Sequence, residues 1–326
     1  MLNNKGRCDL FIDESGSAYI GEPRYRFYVA AGIFIEPHER DLGNMLFKLW
    51  RRKYWKDENR PFHSFDFFED YRKPADHRLT KQNLLINSHF FKATDELIEI
   101  LSNVKFQACV YYVDLPLLRQ RYHIPLFPEK RTRHQKKQYW LDIAKQTSGN
   151  PYLPINSTLK NIFVTHEQIL SQKKCSGFIN FESLAEQDTE ALSYFHYHQN
   201  KLKKEYDIQK SKGLNPKNRN YLYGQHILGI NLLTKNSLDC GIELAALIAY
   251  VTFQTLRGKY IKPELKELRK YRLLLIRSIQ RTLRDKLNVR YHSSTDSTEI
   301  VETKKASMLL AYLGEILEHP QSGELK

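Results

Sequence analysis

The chain has 326 residues, 41% hydrophobic and 12% aromatic, enough for one large or two ordinary cores, which argues against disorder over most of its length. Its formal net charge is +14, from 51 Lys and Arg against 37 Asp and Glu, a balance that favours phosphate-rich partners through counterion release. Cys8, Cys109, Cys175 and Cys240 never approach metal-knuckle spacing, and the most apolar helical run, Leu244 to Phe253, is too short to cross a bilayer. The expectation is a soluble, cytoplasmic protein with reduced thiols and no membrane contact.

The first strand-like run, Cys8 to Asp13, ends in FIDESGS, Phe11 to Ser17. Alternation places Cys8, Leu10 and Ile12 on one face and Asp9, Phe11 and Asp13 on the other, with Glu14 turning at the strand end. Two acids beyond a core strand suit a metal ligand, and they suit an ordinary solvated turn as well. A second strand, Phe27 to Ile35, leads to PFHSFDFFED, where His63 and Asp66 sit among aromatics. A histidine there is suited to proton transfer, and equally to simple packing.

A helix over His77 to Leu101 and a strand over Lys105 to Val113 follow, and Pro and charge then mark Leu115 to Arg133 as a loop or insertion. Helices are expected over Gln135 to Gln146 and Thr158 to Leu170, and a strand over Gly177 to Glu182. Glu182 closes that strand on the same face as Asn180, and Asp188 opens the next helix, to Tyr206, as a good N-cap. After a polar stretch, Lys201 to Asn220, come a strand near Tyr223 to Leu232 and an apolar helix, Leu238 to Thr255. On that helix Asp239, Glu243, Ala246 and Tyr250 share a face, and a carboxylate as deep as Glu243 needs a cation, a metal or the helix N-terminus. Strands that cluster and then alternate with helices predict an α/β sheet covered by helices.

These segments, taken in order, resemble the domain-of-unknown-function 3800 family of bacteria and phages, whose members look like variants of the ribonuclease H-like fold. FIDESGS resembles its Asp-Glu-Ser-Gly strand end, and His63 a histidine after its second strand. Phe181 to Ser183 with Asp188 resemble its Glu-Ser strand end and downstream acid, and Gly241 to Tyr250 its late helix. The resemblance covers residues 7 to about 257. It implies a ribonuclease H-like mixed sheet flanked by helices, with helical insertions, over residues 1–257, and a basic C-terminal helical extension over 258–326.

It further implies a metal-dependent nuclease acting on RNA or DNA, with a role in phage defence. Asp13, Glu182 and Glu243 would hold Mg²⁺ or Mn²⁺, and Glu14 and His63 would assist. The departure is at Ala246, where the family pattern has its last aspartate. Either Glu243 replaces that acid, or the chain only binds nucleic acid, or position 246 carries an inactivating change. From Lys262 an amphipathic helix is expected to run through Leu287, with ten Lys and Arg against three acids over Lys262 to Arg290. Arg277, Arg281 and Arg284 share one of its faces, as a nucleic-acid contact or simply a solvated face. A non-catalytic nucleic-acid-binding regulator and a homo-oligomer built on this helix are the competing readings, and a second short helical pattern follows Met308.

Overall fold

The structure, a computed structural model, describes residues 6–17, 25–64, 81–124, 153–183, 226–234, 237–258 and 287–291, with single positions or short runs between them. In chain order the elements are β1 (Asp9–Gly16), β2 (Phe27–Ile35), α1 (Pro37–Tyr54), α2 (Lys81–Asn103), β3 (Phe106–Asp114), α3 (Leu115–Arg121), α4 (Leu153–Lys173), β4 (Gly177–Glu182), β5 (Ile227–Leu233), α5 (Cys240–Gly258) and β6 (Leu287–Tyr291). The strands form one sheet in the order β5-β4-β1-β2-β3-β6. β1 pairs antiparallel with β2 and β2 antiparallel with β3, whereas β1 with β4, β4 with β5 and β3 with β6 are parallel. Only β2 therefore runs against the rest.

Each face of the sheet buries its own core. On one side Phe11, Val29, Ala31, Ile33 and Val110 pack with Phe47 and Trp50 of α1, Leu97 of α2 and Leu244 and Ile248 of α5. On the other, Leu10, Ile12, Ala30, Cys109 and Ile179 pack with Leu118 of α3 and Leu159, Ile162 and Phe163 of α4. All nine residues of β2 are buried, as a central strand covered on both faces requires. A mixed sheet with this strand order, flanked by helices, is a ribonuclease H-like α/β architecture, with β6 added beyond β3.

Four segments differ from the sequence expectation. β1 does not end at Asp13 with a turn at Glu14 but runs on to Gly16, because β2 offers Glu14, Ser15 and Gly16 ladder partners in Ala30, Val29 and Tyr28. Leu115 to Arg121 is helix α3 rather than loop: Pro116 lies in the first turn, where its missing N–H costs nothing, and Asp114 caps the helix by accepting from the Leu117 N–H at 3.4 Å. Leu287 to Tyr291 is strand rather than the end of a helix, because Leu287, Val289 and Tyr291 also alternate with period two and the free edge of β3 offers them partners. Helix α1 was not anticipated, although Gly43, Phe47, Trp50 and Tyr54 bury one face at helical spacing. Asp66, Arg277, Arg281, Arg284 and the pattern after Met308 lie outside the described residues. No described helix is long and apolar enough to cross a membrane.

Candidate active site

The parallel pairing of β1 with β4 sets Leu10, Phe11 and Ile12 beside Ile179, Asn180 and Phe181. One residue further on, Asp13 and Glu182 come side by side on the face covered by α5. The two carboxyl groups lie close enough to act on each other directly. Burial first, then the charge of Glu182, raises Asp13 well above the ordinary carboxylate value, against which the Glu14 backbone N–H, donating to Asp13 Oδ1 at 2.7 Å, works only in part. The charges that shift Asp13 most are thus negative, those of Glu182 and Glu14.

Glu14 takes the opposite face of β1. Its carboxylate accepts a hydrogen bond from the Tyr28 hydroxyl, and Thr158 of α4 lies beside Tyr28 while its own hydroxyl donates back to the Pro154 and Ile155 carbonyls. Burial pushes Glu14 up to about 7; the Tyr28 hydrogen bond pulls it down and Glu182 adds to the rise. β1 carries these acids within its ladder with β2 and ends at Gly16, which has a φ of +102° and lies so close to β2 that an added Cβ would stand 2.2 Å from the Phe27 carbonyl oxygen. Tyr28 and Thr158 escaped the sequence reading, because a tyrosine inside an apolar run reads as core until the register sets it beside Glu14.

Glu243 lies in the first turn of α5 and is turned to α1. Its Oε1 accepts from Arg51 Nη1 and from the Phe62 backbone N–H at 3.0 Å, and both Glu243 and Arg51 are 2% exposed. Burial lifts Glu243 to about 7, against the pull of Arg51; neither Asp13 nor Glu182 figures among the main influences on it. The structure therefore sets Asp13 beside Glu182, leaves Glu14 with Tyr28 on the other face of β1 and gives Glu243 a different partner.

Ala246 is the one partly exposed residue of α5 between Cys240 and Phe253. At Gly241 the helix touches β1 so closely that an added Cβ would stand 2.3 Å from the Phe11 ring. Five helical residues advance about 7.5 Å and two strand residues about 6.6 Å, so Ala246 stands roughly level with Asp13. Asp239 caps the helix by accepting from the Gly241 N–H at 2.9 Å. Asp188 accepts from the Ser183 hydroxyl just beyond β4, and His63 is half-buried, its carbonyl accepting from Phe67 N–H.

Two adjoining buried carboxylates fit the charge and the oxygen preference of a divalent cation. A further ligand is lacking: among the described residues no group of three or more His, Cys, Asp or Glu is arranged to hold a metal ion. No protein-family model matches the chain, and no curated protein matches it. The family resemblance rests on the motifs alone.

Proposed function

We propose that the chain is a metal-dependent phosphodiesterase of ribonuclease H-like type, acting on RNA or DNA in the cytoplasm, whose third acid position is filled by Ala246. The observation that carries this reading is the buried pair Asp13 and Glu182, set side by side by the β1–β4 register, where the strongest influences on Asp13 are burial and negative charge. Buried carboxylates of one sign call either for a proton or for a cation. Asp13 and Glu182 would hold Mg²⁺ or Mn²⁺, and such an ion, when bound, supplies Lewis acidity and neutralises charge on a phosphate. Glu14, pushed up to about 7 by burial and held by Tyr28 on the other face of β1, would hold or release a proton within electrostatic range of the pair. The DESG, Glu-Ser and late-helix motifs favour the domain-of-unknown-function 3800 family as its kin, with phage defence as the setting.

Ala246→Asp tests the reading. The variant is expected to bind Mn²⁺ more tightly than the parent by calorimetry and to cut RNA or DNA in Mg²⁺ or Mn²⁺, with Asp13→Asn abolishing both. A restored variant that binds nucleic acid yet cuts none ends the nuclease reading. The partly exposed Ala246 favours the alternative in that event, a nucleic-acid-binding regulator on the same fold.

A further inference from the structure

A buried ion pair is expensive to desolvate, and an apolar pair of like volume is often as stable or more so. Arg51 and Glu243 are buried all the same, and Glu243 Oε2 has no hydrogen-bond partner. Their contacts converge on one short stretch. Arg51 Nε donates to the Glu58 carbonyl at 3.0 Å, while Glu243 Oε1 accepts from Arg51 Nη1 and from the Phe62 N–H. The two side chains thus grip both ends of the segment from Glu58 to Phe62, one from α1 and one from α5. Aromatic packing seats the same stretch, with the Phe62 ring stacked on Trp55 at 5.8 Å and tilted against Phe47.

His63 is the next residue, and its carbonyl starts the helical turn that reaches Phe67. On the α5 side, Ala246 lies three residues beyond Glu243, about 4.5 Å along the axis. The residue after Phe62 is therefore held near the level of α5 occupied by Ala246, which is roughly the level of Asp13 along β1.

We propose that Arg51 and Glu243 form a positioning device, which holds the 58–63 segment against α5 so that His63 stands at the Asp13–Glu182 site. This rests on the proposed metal-dependent reading for what His63 does there, and on geometry alone for the grip itself. Arg51 is suited to the task because its planar fork serves two acceptors in fixed directions, which a lysine cannot do.

The test uses the full chain and two readouts besides activity. One is hydrogen exchange of the amides from Glu58 to His63. The other is broadening of the His63 ring signal by Mn²⁺, that signal being identified by its loss in His63→Gln. In the parent Mn²⁺ should broaden His63 strongly. In Arg51→Met/Glu243→Leu, which keeps apolar volume, the Phe62 amide should exchange about tenfold faster, the scale of one lost hydrogen bond. The Mn²⁺ broadening of His63 should fall with it, at unchanged Mn²⁺ affinity. Glu243→Gln, which keeps an acceptor for Phe62, should restore most of both. Should the double variant not fold, Arg51→Lys gives the same two readouts.

A folded variant with faster exchange but unchanged broadening overturns the proposal and leaves the pair a purely structural tie. Unchanged exchange overturns the grip as well. If Mn²⁺ broadens no signal in either the parent or Ala246→Asp, the metal reading fails and His63 is not at a metal site, and the exchange rates then decide the grip alone.

Discussion

Glu243 shows how burial sets a residue's response to pH. Its folded value of about 7 lies above the ordinary 4.5, because burial outweighs the help of Arg51 and the Phe62 N–H, and Asp239 adds to the rise. Between those values the folded state keeps a proton that the unfolded chain has released, so this contribution is full below pH 4.5 and is lost as pH rises through 7. The shift corresponds to about 3 kcal/mol. Glu243→Gln should therefore flatten the decline of urea-unfolding free energy between pH 4.5 and 7.5; an identical slope in parent and variant would sink the assignment. Removing only the cation, as in Arg51→Met, should cost about 3–5 kcal/mol at neutral pH, measured by the same unfolding curves, since it strands a buried carboxylate. At Asp13 the same logic predicts that Asp13→Asn raises the metal-free melting temperature at pH 7 while removing any rise on adding Mn²⁺.

At the scale of elements, two glycines set the site's frame. Gly241 lets α5 lie on β1, and Gly241→Ala would drive a Cβ into the Phe11 ring, forcing the helix outward at a cost of about 1–3 kcal/mol in urea unfolding. Gly16→Ala meets both a left-handed φ and the Phe27 carbonyl, so its cost should be at least as large, with Glu14 drawn away from Tyr28. A melting temperature in either variant equal to that of the parent would refute the close approaches. Helix α1 matters because it supplies Arg51, and its apolar stripe, Phe47, Trp50 and Tyr54, stands in the sequence at helical spacing. Helix α3 was hidden by Pro116, which signals a loop by composition and a helix start by position.

For the whole molecule, the sheet sets Asp13 and Glu182 on one face, in a chain whose net charge is +14. Binding of single-stranded RNA or DNA is expected to weaken with salt, about tenfold between 50 and 200 mM for as few as two phosphate contacts. Affinity that is indifferent to salt in a fluorescence-anisotropy titration would remove the electrostatic reading. β6 brings residues 287–291 back onto the sheet beside β3, so part of the basic C-terminal region is a sheet edge.

The sequence by itself determined the alternating strands, the acids late in β1 and at the end of β4, the apolar helix α5 and the absence of an acid at position 246, because these are local matters of period, composition and side-chain type. Only the tertiary structure decided which acids meet. Asp13 and Glu182 are joined by a parallel register 169 residues apart in the chain, as far as Phe178 is from Asp9. Glu243, one turn from Ala246 on the same helix, is claimed by Arg51 from α1. Such choices rest on long-range pairing and desolvation, which no window of sequence contains.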